Sequence, residues 1–282
     1  MKQAQQSGTP FFFAGQDSHV GYDRLVNEDY YGNFSTPAGE LFVVADGLSG
    51  HAGGGVASRL AVSAFRDFLS SVSGEPEEFL IQAAARADQA VIAAGEKYPE
   101  LDGLGVSLVA LLLRNNEAWF IHVGDSRLYL CSASGLRRLT KDHTVGRAGD
   151  GPGTEGRLLT QSLGGFVDIG SLRVGRHTYR ADDSFLLCTQ GLPLLATDAE
   201  IRDILSLPYT PQERARILLE VAVEKGGAEN ITVQVVSFKP GDDDEDEPWP
   251  AGRVRGPLCF LLGFGCGLLA AGLGRWLWPG YF

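Results

Sequence analysis

Acidic residues stand at the ends of strand-like runs in four separated places along this 282-residue chain. Arg24-Leu25-Val26-Asn27-Glu28-Asp29 lies near the amino terminus, and Asp46-Gly47-Leu48-Ser49-Gly50-His51 follows the apolar run Leu41–Ala45. Gly124-Asp125-Ser126-Arg127 follows a further apolar run, and Gly227-Ala228-Glu229-Asn230 precedes the last one. Carboxylates and backbone carbonyls brought together at strand ends make a hard oxygen site suited to Mg2+ or Mn2+. Two such ions about 3.5–4 Å apart would activate water for in-line attack on phosphorus. A nearby arginine would grip the phosphate oxygens through its planar fork. Singly these signals are weak, because a DG dipeptide is usually a turn and GDSR alone fits a hairpin.

The elements that must position them follow from the apolar pattern. Leu41–Ala45 reads as a strand ending at a turn. Gly53–Val72, with Val56, Leu60, Ala64 and Phe68 at helical spacing, reads as an amphipathic helix, and Phe79–Ala94 as a second. Val106–Leu113, Ala118–Val123 and Leu128–Cys131 read as three strands. Asn115-Asn116 and Gly124–Arg127 lie between them as hairpin connections. The polar, glycine-rich segment 141–165 reads as a mobile surface loop. Strands over 171–177 and 184–189, a short helix after Asp198, a longer one from Pro211 to Lys225 and a final strand, Ile231–Phe238, complete the pattern. Antiparallel strands interrupted by paired helices predict an α+β sandwich, with sheets inside and helices outside. One strand exit stands apart: Leu186-Leu187-Cys188 stops at Thr189-Gln190-Gly191, with an uncharged glutamine where chemistry is usually placed.

Composition narrows the function. The net charge is −11, from 24 basic and 35 acidic residues, which argues against a nucleic-acid surface. Asp242–Glu247 (DDDEDE), flanked by prolines, reads as a solvated spacer. Cys131, Cys188, Cys259 and Cys266 form no CxxC pair, so buried thiols are expected. The amino terminus lacks the apolar stretch of a signal peptide, so residues 10–239 are expected in a reducing cytoplasm. Pro257–Gly274 carries no charge and would span about 27 Å as a helix, close to a bilayer's hydrocarbon thickness. Arg253 and Arg255 on one flank and Trp276, Trp278 and Tyr281 on the other fit a transmembrane anchor over 257–278. The boundaries are therefore a flexible 1–9, a globular 10–239, an acidic linker 240–256 and the anchor. Gly263, Gly267 and Ala271 allow dimerisation through that anchor.

In order and surroundings the four acidic places resemble the PPM family, the metal-dependent (type 2C) serine/threonine protein phosphatases, in the bacterial style. Arg24–Asp29 matches its R-x-x-N-E-D, and Val44–Ser58 (VADGLSGHAGGGVAS) is similar to its V-A-D-G-M-G-G-H-x-x-G-E-x-A-S. Leu104–Val109 sits where a G-T-T strand would, Gly124–Tyr129 (GDSRLY) matches fully, and Leu139–Thr144 (LTKDHT) is similar to L-T-x-D-H-S. Ser162–Gly165 (SLGG) and Gly226–Val235 (GGAENITVQV) match A-L-G-G and G-G-x-D-N-I-T-V-x-V. The resemblance covers roughly residues 12–238 and implies an αββα sandwich with two Mn2+ or Mg2+ ions at one end.

Carried over, it implies that Asp46 bridges two ions, while Glu28 and the Gly47 carbonyl complete the second ion's shell. Asp29 would support waters from outside that shell, Arg24 would bind substrate phosphate, and Asp125 would stand near an optional third ion. His51 and His143 receive structural rather than proton-transfer roles, because Leu48 occupies the place of the eukaryotic members' acid histidine.

Two departures touch the first ion. Where the family writes S-D-G-L this chain has Thr189-Gln190-Gly191-Leu192, and where it writes D-N-I-T the chain has Glu229-Asn230-Ile231-Thr232. Glu229 keeps a charge on a longer arm, whereas Gln190 keeps an oxygen but loses the charge. The resemblance therefore implies a membrane-anchored phosphatase of phosphoserine and phosphothreonine proteins, its activity lowered by these two residues. Its partners would be the substrates of a bacterial Ser/Thr kinase and its place the inner membrane. The alternatives are a pseudophosphatase that binds a phosphoprotein or partner without turnover, and an assembly subunit whose site has drifted.

Overall fold

Leu41, Val43 and Ala45 point to one side of their strand and Phe42 and Val44 to the other, yet all five are buried. The next strand repeats this, with Val106, Leu108, Ala110 and Leu112 in one apolar cluster and Val109, Leu111 and Leu113 in another. Strands buried on both faces need two covering layers, and the chain supplies helices on one side and a second sheet on the other. The computed structural model describes residues 11–48, 53–72, 74–98, 103–145 and 158–239.

In chain order the elements begin with β1 (Phe11–His19), β2 (Asp29–Thr36), β3 (Gly39–Leu48), α1 (Gly54–Leu69) and α2 (Pro76–Lys97). Then come β4 (Gly105–Arg114), β5 (Glu117–Val123), β6 (Arg127–Ser132), β7 (Gly135–Arg138), β8 (Thr144–Val145) and β9 (Leu158–Leu159). The last are β10 (Gly175–Thr178), β11 (Ser184–Cys188), α3 (Gly191–Leu195), α4 (Asp198–Leu205), α5 (Pro211–Glu224) and β12 (Ile231–Lys239). One five-stranded sheet runs β1-β12-β11-β6-β7 and the other β10-β5-β4-β3-β2. Their strands pair antiparallel throughout. The buried faces of α1 and α2 cover the second sheet through Ala57, Ala61, Phe65, Leu80, Ala83 and Ala87. Between the sheets lie Phe42, Val44, Leu111, Leu128, Phe185, Leu187 and Phe238. On the outer face of the first sheet, α5 lies so close to β1 that a Cβ on Gly15 would be 2.1 Å from the Gln212 backbone nitrogen.

The expected α+β sandwich is therefore present, and four details differ from the sequence reading. Gly124–Ser126 is not a hairpin: β5 and β6 belong to different sheets, so this corner carries the chain across the sandwich. The corner is closed by the Ser107 hydroxyl, which accepts from Asp125 N at 3.0 Å and Ser126 N at 2.7 Å. The strand expected over 171–177 narrows to β10, because residues 169–171 coil into a single 3-10 turn capped by Asp168. β1 and β2, which interleave polar residues and glycine with aromatics, were not singled out from the pattern. Finally, the apolar stretch after Gly191 opens as the short helix α3.

Within 141–165, Thr144–Val145 and Leu158–Leu159 pair as a two-stranded ribbon, and residues 146–157 lie outside the described residues. So do His51, the linker 240–256 and the anchor expected over 257–278. Among the described residues, no helix is long and apolar enough to cross a membrane.

Candidate functional site

The antiparallel register of β2 and β3 sets Asp29 directly opposite Asp46. Two carboxylates on paired strands repel, and neither is described with a cationic partner that would offset the repulsion. Asp29 is only 6% exposed. Its Oδ2 accepts a 2.8 Å hydrogen bond from the Thr189 hydroxyl, at the end of β11 in the other sheet. Thr189 Oγ1 also accepts from Thr232 N, and Thr189 N donates to Thr232 O, each at 3.0 Å. One hydroxyl thus ties the two sheets together beneath the acids. Burial pushes the Asp29 carboxyl up to about 7, with hydrogen bonds from Thr232, Thr189 and Asp46 opposing it and the charge of Glu229 adding to it. Asp46 is held well above the usual carboxylate range, first by burial and then by the charges of Asp29, Asp125, Glu229 and Glu28. All of the acids singled out from the sequence therefore converge on Asp46.

Glu28 and Gly47 meet at the start of α1. Gly54 N donates to Glu28 Oε1 at 3.1 Å, which places the carboxylate at the positive end of the helix. A Cβ on Gly54 would sit 2.6 Å from Glu28 Oε1 and 2.7 Å from the Gly47 carbonyl oxygen, so only glycine lets the two oxygens converge there. Gly47 is under the same constraint, because its Cβ would strike the Gly54 carbonyl at 2.1 Å. Gly47 and Gly54 are thus both required by close approach.

Arg24 and Glu229 are brought together in a way the sequence did not disclose. Arg24 Nε donates to Glu229 Oε2 at 2.8 Å, and its Nη2 bonds the same oxygen. The side chains are 41% and 45% exposed, so the pair contributes on the order of 0–1 kcal/mol and opens easily.

Asp125 sits on the corner between β5 and β6, its carboxyl raised chiefly by burial. Gln190 lies two residues past β11, at the N-cap of α3, and this turn is pressed against the Glu229–Asn230 segment, since a Cβ on Gly191 would lie 2.1 Å from the Asn230 carbonyl oxygen. Three buried oxygens at this end, Asp29 Oδ1, Asp125 Oδ1 and Gln190 Oε1, have no hydrogen-bond partner. Partnerless oxygens around mutually repelling carboxylates are the donor chemistry a hard divalent cation satisfies. Among the described residues no three His, Cys, Asp or Glu side chains close into a ready-made metal cage.

Several supporting residues escaped the sequence reading. Asn230 is the chief one. Its Oδ1 accepts from Glu28 N at 2.9 Å, while its Nδ2 donates to Val20 O at 2.6 Å and Val26 O at 3.1 Å, holding the Arg24 loop at both ends. Ser58 donates to Glu28 O at 2.6 Å, and the nearly buried Arg127–Asp142 pair at 2.6 Å fastens the Asp125 corner to the segment before His143. His143 Nδ1 accepts from Gly124 N at 3.2 Å and its ring stacks on His122, a packing role as expected. Thr189 and Asn230 both stood inside quoted motifs, as polar residues at the ends of buried strands, and that was the available signal.

A family model described as protein phosphatase 2C matches residues 16–217. The serine/threonine protein phosphatase PstP of Mycobacterium tuberculosis is 34% identical over 251 residues, covering 85% of this chain and 47% of that protein. The chain thus spans about half the length of that relative. The serine/threonine phosphatase Stp of Listeria welshimeri is 30% identical, covering 77% of this chain and 92% of its own. Among solved structures, the PstP catalytic domain in complex with two manganese ions superposes with a TM-score of 0.71 at 31% identity, covering 82% of this chain and all of that one. The convergence of the acids on Asp46 between two antiparallel sheets and the length of these matches lead to one assignment: the chain belongs to the protein phosphatase 2C family.

Proposed function

We propose that the chain is a metal-dependent protein serine/threonine phosphatase that works with two Mn2+ or Mg2+ ions. The observation that carries this is the convergence of Glu28, Asp29, Asp125 and Glu229 on the buried Asp46, with Arg24 at the rim. Asp46, Glu28 and the Gly47 carbonyl are the residues to hold one ion; Asp46, Glu229 and Gln190 are those for the other, and Asp125 is the residue for a third. The ions, when bound, supply charge neutralisation and an activated water for in-line attack on phosphorus. Asp29 keeps its Thr189 hydrogen bond and orients water outside the ion shells. Arg24 binds the phosphate through two guanidinium nitrogens, which requires it to leave Glu229; the exposure of that pair makes the exchange inexpensive.

The direct test is Arg24→Ala, assayed on a phosphothreonine peptide with saturating Mn2+. Its kcat/KM is expected to fall about 100-fold, carried mainly by KM. Mn2+ affinity is expected to stay equal or to improve, since Glu229 is released. Arg24→Lys should not rescue, because a point charge does not reproduce the fork. Unchanged kcat/KM in Arg24→Ala would remove Arg24 from phosphate binding.

A second reading, a pseudophosphatase that holds a phosphoprotein without turnover, draws on two observations. Gln190 brings no charge to its ion, and Glu229 is engaged by Arg24. It is ranked second because a lost ligand lowers metal affinity before it abolishes it.

We further propose that residues 257–278 anchor the phosphatase domain, residues 10–239, at the cytoplasmic face of a bacterial inner membrane, with 240–256 as a charged tether. The uncharged run Pro257–Gly274 and its arginine and tryptophan flanks support this. The full chain is expected in the membrane fraction after a high-salt wash and in the soluble fraction when cut after residue 239. A full chain recovered as soluble would contradict the anchor. Substrates phosphorylated by a Ser/Thr kinase, and pairing of two anchors through Gly263, Gly267 and Ala271, belong to the same proposal.

A further inference from the structure

The segment that carries Arg24 presents more than a guanidinium to solvent. Tyr22 is 66% exposed, Val26 is 54% exposed and Leu25 is fully exposed. Val56, in the first turn of α1, is 42% exposed. Its neighbour Gly55 faces the same segment, since a Cβ there would lie 3.5 Å from the Asn27 carbonyl oxygen. Exposed apolar residues thus flank Arg24 along its own segment, and the first turn of α1 lies against that segment.

A loose loop does not account for this exposure. Asn230 holds the segment at Val20 and Val26, Tyr22 N donates to Gly227 O at 2.7 Å, and Asn27 Nδ2 donates to Ser18 Oγ at 2.8 Å. A Cβ on Gly21, whose φ is +83°, would be 2.3 Å from the Glu229 carbonyl oxygen, so the loop is pressed against its support. The Tyr22 ring stands edge-on to His19 at 6.0 Å. Leu25 and Val26 are therefore held in water by the same bonds that position Arg24. Scattered exposed apolar residues need no explanation, but a fixed cluster beside a functional group does.

We propose that Tyr22, Leu25, Val26 and Val56 form the docking rim for the substrate's peptide chain, and that they select phosphopeptides with apolar residues beside the phosphorylated one. This rests on the phosphatase reading of the site. With the phosphate on Arg24, the residues on either side of it must cross the rim. Acidic flanks would meet the exposed Asp23 and the charge of Glu229, and no cation of this loop other than Arg24 is there to receive them. Because these bonds already fix the segment's backbone, binding costs the ordering of the peptide and of the rim side chains but not of the loop itself.

The test uses the full chain with Mn2+ and three phosphothreonine peptides of one length, flanked on both sides by leucine, aspartate or arginine. A small aryl phosphate, which does not reach the rim, is the reference substrate. The leucine-flanked peptide is expected to have the highest kcat/KM, about tenfold above the aspartate-flanked one. In Leu25→Ser/Val26→Ser that ratio should fall to about twofold, through KM, relative to the aryl phosphate. Leu25→Met should keep it. A preference for the arginine-flanked peptide, or a leucine preference unmoved by the double variant, would overturn the proposal. So would a concentration-dependent dimer, seen by light scattering and lost in the double variant, since a second copy would then be the occupant. If neither the peptides nor the aryl phosphate turn over, the phosphatase reading is what fails. Fluorescence anisotropy then decides the rim separately: tighter binding of the leucine-flanked peptide, lost in the double variant, supports it, and equal binding of all three peptides overturns it.

Discussion

Asp46→Asn is expected to abolish turnover and, in the same protein, to stabilise the metal-free fold. Asp46 is the residue on which every other acid of the site acts, so its carboxylate is the one group placed to serve both ions. Its neutral isostere should lower kcat/KM by on the order of 10³-fold or more at any attainable Mn2+ concentration. Without metal the same carboxylate is a liability, because it is buried among like charges. Removing its charge should raise the metal-free Tm by about 3–6 °C, taking about 2–4 °C per kcal/mol for a domain of this size.

The pH dependence carries the same sign. Asp29 moves from an ordinary 3.8 to about 7 in the fold, so between these values the native state holds more protons than the unfolded chain. Stability of the metal-free protein is therefore greatest below about pH 4 with respect to this group and is lost as pH rises through about 7. Mn2+ should flatten that slope, and Asp46→Asn should reduce it without metal. Thermal unfolding at pH 5 and pH 8, with and without Mn2+, reads both effects. A metal-free Tm that rises with pH would contradict the electrostatic account.

Gln190→Asp should act in the opposite direction on both quantities. The Gln190 oxygen is buried without a partner, so a carboxylate in its place would point where a cation is wanted. Mn2+ affinity at the weaker ion position is expected to tighten about 10–100-fold, with turnover at low Mn2+ rising accordingly. The metal-free protein should become less stable by a few degrees, since one more carboxylate joins a cluster already repelled from ionisation. Calorimetric Mn2+ titration and a thermal melt on the same sample would show the two together. An unchanged Mn2+ isotherm would place residue 190 outside the ion shell.

How much of this was legible in the sequence depends on the range of the interactions. The strands buried on both faces follow from local apolar pattern. Helix α1 forms over the expected span, but it turns Ala57, Ala61, Val62, Phe65 and Leu69 into the core. The expected stripe of Val56, Leu60, Ala64 and Phe68 is half-buried or exposed, because small alanines carry the close helix-to-sheet contact. The acids of the site were legible because their motifs are short and contiguous. The hairpin expected at Gly124–Arg127 differs from the structure because a glycine turn looks alike whether the next strand pairs with the last or crosses to another sheet. The sheet crossing is decided by Ser107, on a different strand. The Thr189–Asp29 bond spans 160 residues and the Asn230–Glu28 bond 202, beyond any local periodicity. The Arg24–Glu229 pair was equally hidden: the longer side chain was legible, but its destination was not.

The central claim is that the acids around Asp46 form a working two-ion site despite Gln190. Turnover of a phosphothreonine peptide by the full chain, followed across a Mn2+ titration, tests it most directly. The account predicts turnover that rises with Mn2+ into the millimolar range, more steeply than one ion would give, and is absent in Asp46→Asn. No turnover at millimolar Mn2+ in a protein that calorimetry shows to have bound the metal would contradict it.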